Sequence, residues 1–214
     1  MSSMGLAIHR LEPQSARGRA RLKKILEAAT DLFLKVGYEQ ASIDAILLQS
    51  GGSKSTLYAY FPTKQDLFRS VIDSVVDNSD VGAAFDICGN ARVVLTEFAV
   101  SRQRVVLSAR HRAVLGLVIA ERERFPDLAQ IYWERGPHKS QRLLATYLEA
   151  LKHREILAID DAEEAAEFFV GMLFQHWHKP LFYVSMAAPS EALIRARAER
   201  AVARFWAAYR RGTH

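Results

Sequence analysis

Thiols are almost missing from this sequence: among 214 residues Cys88 is the single cysteine. One thiol makes neither an intramolecular disulfide nor a cysteine-rich zinc site, and such scarcity fits a reducing compartment. Cys88 itself reads as a packing residue. Long hydrophobic runs are missing too. No stretch of about 18 uncharged apolar residues occurs, so no membrane-spanning helix and no membrane partner are expected. The N-terminal arginines have no apolar segment behind them, so no secretory signal is expected, and a cytoplasmic location is. Proline (6) and glycine (11) are few. An all-β chain of this length would need more turn residues, and no segment alternates with period two, so a sheet is not expected. There is no Gly-rich phosphate loop, no nucleophile motif and no HExxH, so the sequence offers neither a catalytic site nor a cofactor site.

What remains is a helix-forming composition, 50% hydrophobic and 25% charged, the balance of a globular chain with a real core. The charge is unevenly placed. Residues 1–24 carry six cations (Arg10, Arg17, Arg19, Arg21, Lys23 and Lys24) against Glu12, and the rest of the chain holds 23 of each sign. A basic arm on a neutral body is the footprint expected of a phosphate-bearing partner; a solvated tail that only aids solubility has the same charge.

The pattern predicts an all-α fold of about nine helices. Residues 1–18 read as a flexible basic arm. Periodicity begins at Leu22, with Ile25, Ala28, Ala29, Leu32, Phe33 and Val36 on one face, and Gly37 at the C-cap. Ser42 caps a short helix that Gly51-Gly52 stops. Ser53 caps a second over Lys54–Tyr60, which Pro62 ends. Thr63 with Asp66 resembles a capping box ahead of Leu67, Phe68, Val71, Ile72 and Val75. Longer helices follow at Val93–Leu107, His111–Arg124, Pro126 to about His153, Ala162–Lys179 and Glu191–Arg211.

Residues 42–61 carry the most information. Two short helices joined by a glycine turn form a helix-turn-helix outline, whose second helix enters a DNA groove while the first braces it. That second helix is dense in phosphate-seeking groups: Ser53, Lys54, Ser55, Thr56, Tyr58 and Tyr60. Leu57 and Phe61, four apart, pin its other face to a core. Asp44 suits the start of its helix but repels phosphate, so no DNA contact is expected there.

The stretch Ser53-Lys54-Ser55-Thr56-Leu57-Tyr58-Ala59-Tyr60-Phe61, then Lys64 and Leu67-Phe68, closely resembles the tetracycline-repressor (TetR) family of bacterial transcriptional regulators. Ile25-Leu26-Glu27-Ala28-Ala29, Leu32-Phe33 and Gly37-Tyr38 resemble that family's first helix and its ending. The likeness is strong over about residues 20–70. It implies a homodimer on a near-palindromic double-stranded operator, usually a repressor, released by a small-molecule effector. It divides the chain into a DNA-binding domain at 19–68 and a ligand-binding and dimerisation domain at 69–214. It implies phosphate contacts from Ser42, Thr56, Tyr60 and Lys64 and base-edge contacts from Lys54 and Ser55, with Ser53 at the helix start. Tyr58 either touches DNA or anchors the helix. The sequence departs from the family at Leu47 and Ser50, where small alanines are usual, and at Gly52, where an apolar plug, often valine, is usual. Losing such a plug forgoes about 1.5–3 kcal/mol of burial unless Leu47 fills the space, and the inter-helix angle depends on which.

In the C-terminal body, the segment from Phe168 to His178 is apolar nearly all round and must be buried by core, ligand or partner. By the resemblance, the last two helices would form a four-helix bundle with their symmetry mates, through Phe169, Leu173, Ile194, Ala198, Ala201, Val202, Phe205 and Tyr209; plain intramolecular core is the other reading. Leu117, Ile131, Trp133, Tyr147, Phe168, Met172, Gln175 and Trp177 are the candidate pocket walls, for an apolar or aromatic effector. His176 and His178, two apart on a helix, point apart and share no metal. A helical small-molecule or protein-adaptor module that does not read DNA is the alternative; it would need few phosphate donors.

Overall fold

The computed structural model describes residues 15–76, 85–175 and 189–211. The chain divides into two compact units, Met1–Val71 and Ile72–His214.

In the first unit, α1 (Ala16–Gln40) starts well before Leu22, with the Ser15 hydroxyl accepting from the Gly18 amide at 3.0 Å. Arg17, Arg19, Arg21, Lys23 and Lys24 therefore stand exposed on helical backbone. Arginine, lysine, alanine and leucine are strong helix formers and need only a cap to start; the apolar stripe begins later, where the helix reaches the core. At Gly37 the backbone leaves the helix with φ 84° and ψ 166°, a conformation open to glycine and costly for other residues. The chain folds back there and buries Tyr38 against Phe33 and Phe68, with ring centroids 5.3–5.5 Å apart. Val36, expected on the buried stripe, is instead 39% exposed. Next come α2 (Ile43–Ser50) and α3 (Lys54–Tyr60), and then α4 (Lys64–Val76), within which the boundary between the two units falls. The α4 stripe of Leu67, Phe68, Val71, Ile72 and Val75 is buried, as its spacing predicts.

The second unit holds α5 (Ala91–Leu107), α6 (Ala109–Glu121), α7 (Pro126–Trp133), α8 (Lys139–His153), α9 (Ala162–Phe174) and α10 (Glu191–Tyr209). A π-helical turn, Glu134–His138, joins α7 directly to α8. Its wider winding accommodates Pro137, which has no N–H for the α-helical ladder. Counted as one continuous stretch, α7 to α8 brings the described helices to nine, with no strand among the described residues. The nearest approach to a strand is an isolated antiparallel bridge between Leu157 and Arg210. The core is built where α5, α8, α9 and α10 converge on Phe98, Leu144, Leu148, Phe169 and Phe205.

This packing corrects two expectations. Phe169, Leu173, Ile194, Ala198, Ala201, Val202 and Phe205, assigned to a subunit interface, are buried in the subunit's own core, and Tyr209 packs on Phe205 at 4.6 Å. Periodicity marks an apolar face but not whose surface covers it. The candidate pocket walls do not share one environment. Trp133 and Phe168 are 53% and 52% exposed, Ile131 and Tyr147 are buried, Leu117 and Met172 are half-buried, and Gln175 is exposed. Trp177, His176 and His178 lie outside the described residues. Cys88 is exposed, not packed.

Candidate nucleic-acid interface

Each short helix of the motif is set by its own cap. The Ser42 hydroxyl accepts from the Ala45 amide at 3.1 Å, and the Ser53 hydroxyl from the Thr56 amide at 3.2 Å. Such bonds satisfy amides that the first helical turn leaves unpaired. Between the helices Gly51 takes a left-handed conformation (φ 71°, ψ 33°) and returns its N–H to the Leu47 carbonyl. Beyond α3, Thr63 and Asp66 form the reciprocal box: the Asp66 amide donates to Thr63 Oγ1 at 3.0 Å and the Thr63 amide to Asp66 Oδ2 at 3.2 Å. Buried Leu57 and Phe61 hold α3 to the core, so its orientation is fixed by packing.

The turn answers the question posed by Gly52. A β-carbon there would stand 3.0 Å from Leu47 Cδ2 and 4.0 Å from Ile25 Cδ1. Leu47 is 8% exposed. It reaches from α2 into the space that a turn side chain would occupy, so the plug is present but comes from another position.

The outward end of α3 gathers Ser53, Lys54 and Ser55, all exposed, with Thr56 half-buried behind them. Their hydroxyls form a linked cluster, with Ser53 Oγ 2.8 Å from Thr56 Oγ1 and 3.1 Å from Ser55 Oγ. Tyr58 is 46% exposed. Tyr60 is half-buried against Phe61. Lys64 does not extend freely into solvent: its ammonium donates to the Glu39 carbonyl at 2.9 Å and lies 4.7 Å from the Tyr38 ring centroid. It thereby ties the start of α4 to the end of α1. Arg21 reaches the Gly51 carbonyl at 3.5 Å.

Periodicity gave no hint of the partner of Lys54. Its ammonium sits 2.8 Å from Asp44 Oδ1 and 3.1 Å from Oδ2, across the motif on α2. The hydrogen bond to Asp44, and then its charge, raise the Lys54 pKa, so the ammonium stays charged. Leu48, one turn beyond Asp44 on α2, is 89% exposed, an apolar side chain on an otherwise polar surface.

The second unit contains buried polar groups that the apolar stripes concealed. Arg102 and Gln103 on α5, His111 on α6 and Tyr132 on α7 are each at most 8% exposed. Tyr132 Oη lies 2.7 Å from His111 Nε2. Burial, and next the Arg102 charge, push the His111 pKa down to about 4, and burial pushes the Tyr132 hydroxyl well up. Among the described residues Gln103 Oε1 and the Tyr147 hydroxyl are buried with no partner. The available signal was the position of Arg102 three and four residues from Ala99 and Phe98, on the stripe that faces the core. A groove of about 640 Å³ opens between α8 and the start of α9, lined by Arg142, Glu149, His153, Asp160, Asp161 and Glu163 among others, and by none of the candidate pocket residues. No helix among the described residues is long and apolar enough to cross a membrane.

Comparison with known proteins agrees with this arrangement in both units. Residues 25–71 match the family described as bacterial regulatory proteins, tetR family, and residues 93–211 match the C-terminal domain of AefR-like transcriptional repressors. An uncharacterised HTH-type transcriptional regulator of Bacillus subtilis, YvkB, is 21% identical over 72% of this chain and 80% of its own length. The Escherichia coli transcriptional repressor ComR is 36% identical over 30% of this chain and 32% of its own. A solved putative TetR-family regulator from Mesorhizobium loti superposes with a TM-score of 0.76 at 25% identity, covering 92% of this chain and 100% of that one. The flavonoid-responsive regulator FrrA superposes with a TM-score of 0.73 at 28% identity, covering 91% and 100%. Each of these relatives is named as a regulator or repressor. With its capped reading helix, its all-helical second unit and a family match across more than half its length, the chain belongs to the TetR family of DNA-binding transcriptional regulators.

Proposed function

We propose that the protein is a repressor that binds a near-palindromic operator as a homodimer in the cytoplasm and is released by a small aromatic effector. The observation that carries the DNA assignment is the exposed cluster Ser53, Lys54, Ser55 and Thr56 at the start of a helix pinned from behind by Leu57 and Phe61. A helix start offers free amides and a positive dipole to phosphate. Lys54 and Ser55 face base edges; Ser42, Thr56, Tyr58 and Tyr60 face the backbone. Lys64 contacts phosphate from its seat on the Glu39 carbonyl.

For dimerisation the outward faces of α9 and α10 replace the buried stripe. On α9, Glu164, Glu167, Phe168 and Gly171 are exposed; on α10, Leu193, Arg200 and Arg204 are. An acidic face with a phenylalanine opposite a basic face suits an isologous pair, in which each patch meets its complement twice. For the effector, FrrA is named as flavonoid-responsive. The buried, unpartnered Gln103 Oε1 and Tyr147 hydroxyl are polar handles inside an aromatic core, where Phe85 stacks on Tyr147 at 4.8 Å.

The test is a selection of duplexes from a random library with the full chain, followed by binding of the selected duplex and a scrambled one. Lys54→Ala is expected to lose roughly tenfold or more in affinity for the selected duplex relative to the scrambled one, as for a base-edge contact. Equal losses on both would refute base reading by Lys54. Lys64→Ala is expected to weaken both duplexes together and to lower the slope of log affinity against log salt by about one. It should also lower the melting temperature, because it removes the link to Glu39 and Tyr38; an unchanged melting temperature would show the link to be idle.

A further inference from the structure

The recognition helix α3 carries one cation, Lys54, and the structure gives it a carboxylate partner from the bracing helix: Asp44 sits at 2.8 and 3.1 Å, with side chains 61% and 72% exposed. We propose that Asp44 is a specificity-determining residue, which acts on DNA recognition through Lys54 and not by touching a base. The inference rests on the DNA-binding reading above and deepens it.

In the paired state the tip of α3 presents hydroxyls but no net positive charge. Non-specific binding to DNA is driven by charge and counterion release, so a neutralised tip, with a carboxylate facing the phosphates, holds random sequence weakly. The pair is solvent-exposed and screened, so it opens at little cost. What opens it usefully is an acceptor that replaces both carboxylate oxygens, and guanine O6 with N7 is such a pair. A matched operator therefore compensates the lost contact and a random duplex does not. Asp44 widens the gap between the two by penalising the wrong partner more than the right one.

The experiment uses the full chain, a random-sequence duplex and the duplex selected by the wild-type protein, with salt titrations of each. Asp44→Asn keeps the size and helix-start compatibility of the side chain, and an unchanged melting temperature shows that it folds. The variant is expected to bind the random duplex about tenfold more tightly at low salt, with a salt slope steeper by about one. Affinity for the selected duplex changes less, so the specificity ratio falls. In a Lys54→Ala background the same substitution leaves the ratio unchanged. Equal tightening on both duplexes, or a fall in the ratio that persists without Lys54, overturns the proposal. So does a loss confined to the selected duplex, which would make Asp44 itself the base reader. Failure of the wild-type protein to bind either duplex sinks the DNA-binding reading, and is distinct from each of these outcomes.

Discussion

Gly52→Val should destabilise the first unit by about 1–3 kcal/mol, although it restores the side chain usual at that turn. A valine β-carbon would start 3.0 Å from Leu47 Cδ2, and its methyl groups would press further into the space Leu47 fills. Leu47→Ala should cost about 2–5 kcal/mol by the opposite route, leaving a cavity behind the Gly52 turn. The two changes together should cost far less than their sum, because the valine enters the volume that the leucine leaves. Urea unfolding of the four proteins in a double-mutant cycle measures the coupling, expected at about 1.5 kcal/mol or more in favour of the pair. Additive losses would mean that Leu47 and the turn do not share one space. Operator affinity read on the same set reports whether the source of the plug also sets the α2–α3 angle: the double variant should recover stability first and affinity only as far as that angle is restored.

The contrast between what was legible in the sequence and what was not follows the range of each signal. The Ser42 and Ser53 caps, the Thr63–Asp66 box and the Gly37 and Gly51 stops are satisfied within one helical turn, so their residue types and spacing carry the whole signal. The pinning of α3 by Leu57 and Phe61 is equally local. The start of α1 was obscured because its first turns face solvent and carry no apolar stripe, although their residues favour helix. The partners of Lys54 and Lys64 come from elsewhere in the fold, ten and twenty-five residues away, and no spacing rule names them. The α9 and α10 stripes were visible as apolar faces. Their assignment to a partner subunit failed because burial by α5 and burial by another copy leave the same pattern. Arg102 and His111 were lost inside such stripes, where a buried polar side chain looks like a break in periodicity and its partner is set by tertiary packing.

Acid should destabilise the second unit through His111. The ring is 2% exposed and hydrogen-bonded to Tyr132, with the Arg102 guanidinium adding its charge. Burial first, and then that charge, hold its folded pKa near 4 against an ordinary value of 6.5. The neutral ring is the form the fold accepts, so the stability it confers is complete above about pH 6.5. As the pH falls below 6.5 the unfolded chain takes up a proton that the folded chain refuses, and stability drains until about pH 4, where the folded ring protonates too. The full loss is about 3 kcal/mol. His111→Gln retains a hydrogen-bonding group for Tyr132 and cannot titrate. Urea unfolding at stepped pH should show wild-type stability falling towards that of the variant between pH 6.5 and 4, while carboxylate effects common to both cancel in the difference. Parallel curves would mean that the buried ring accepts its proton as readily as the free one.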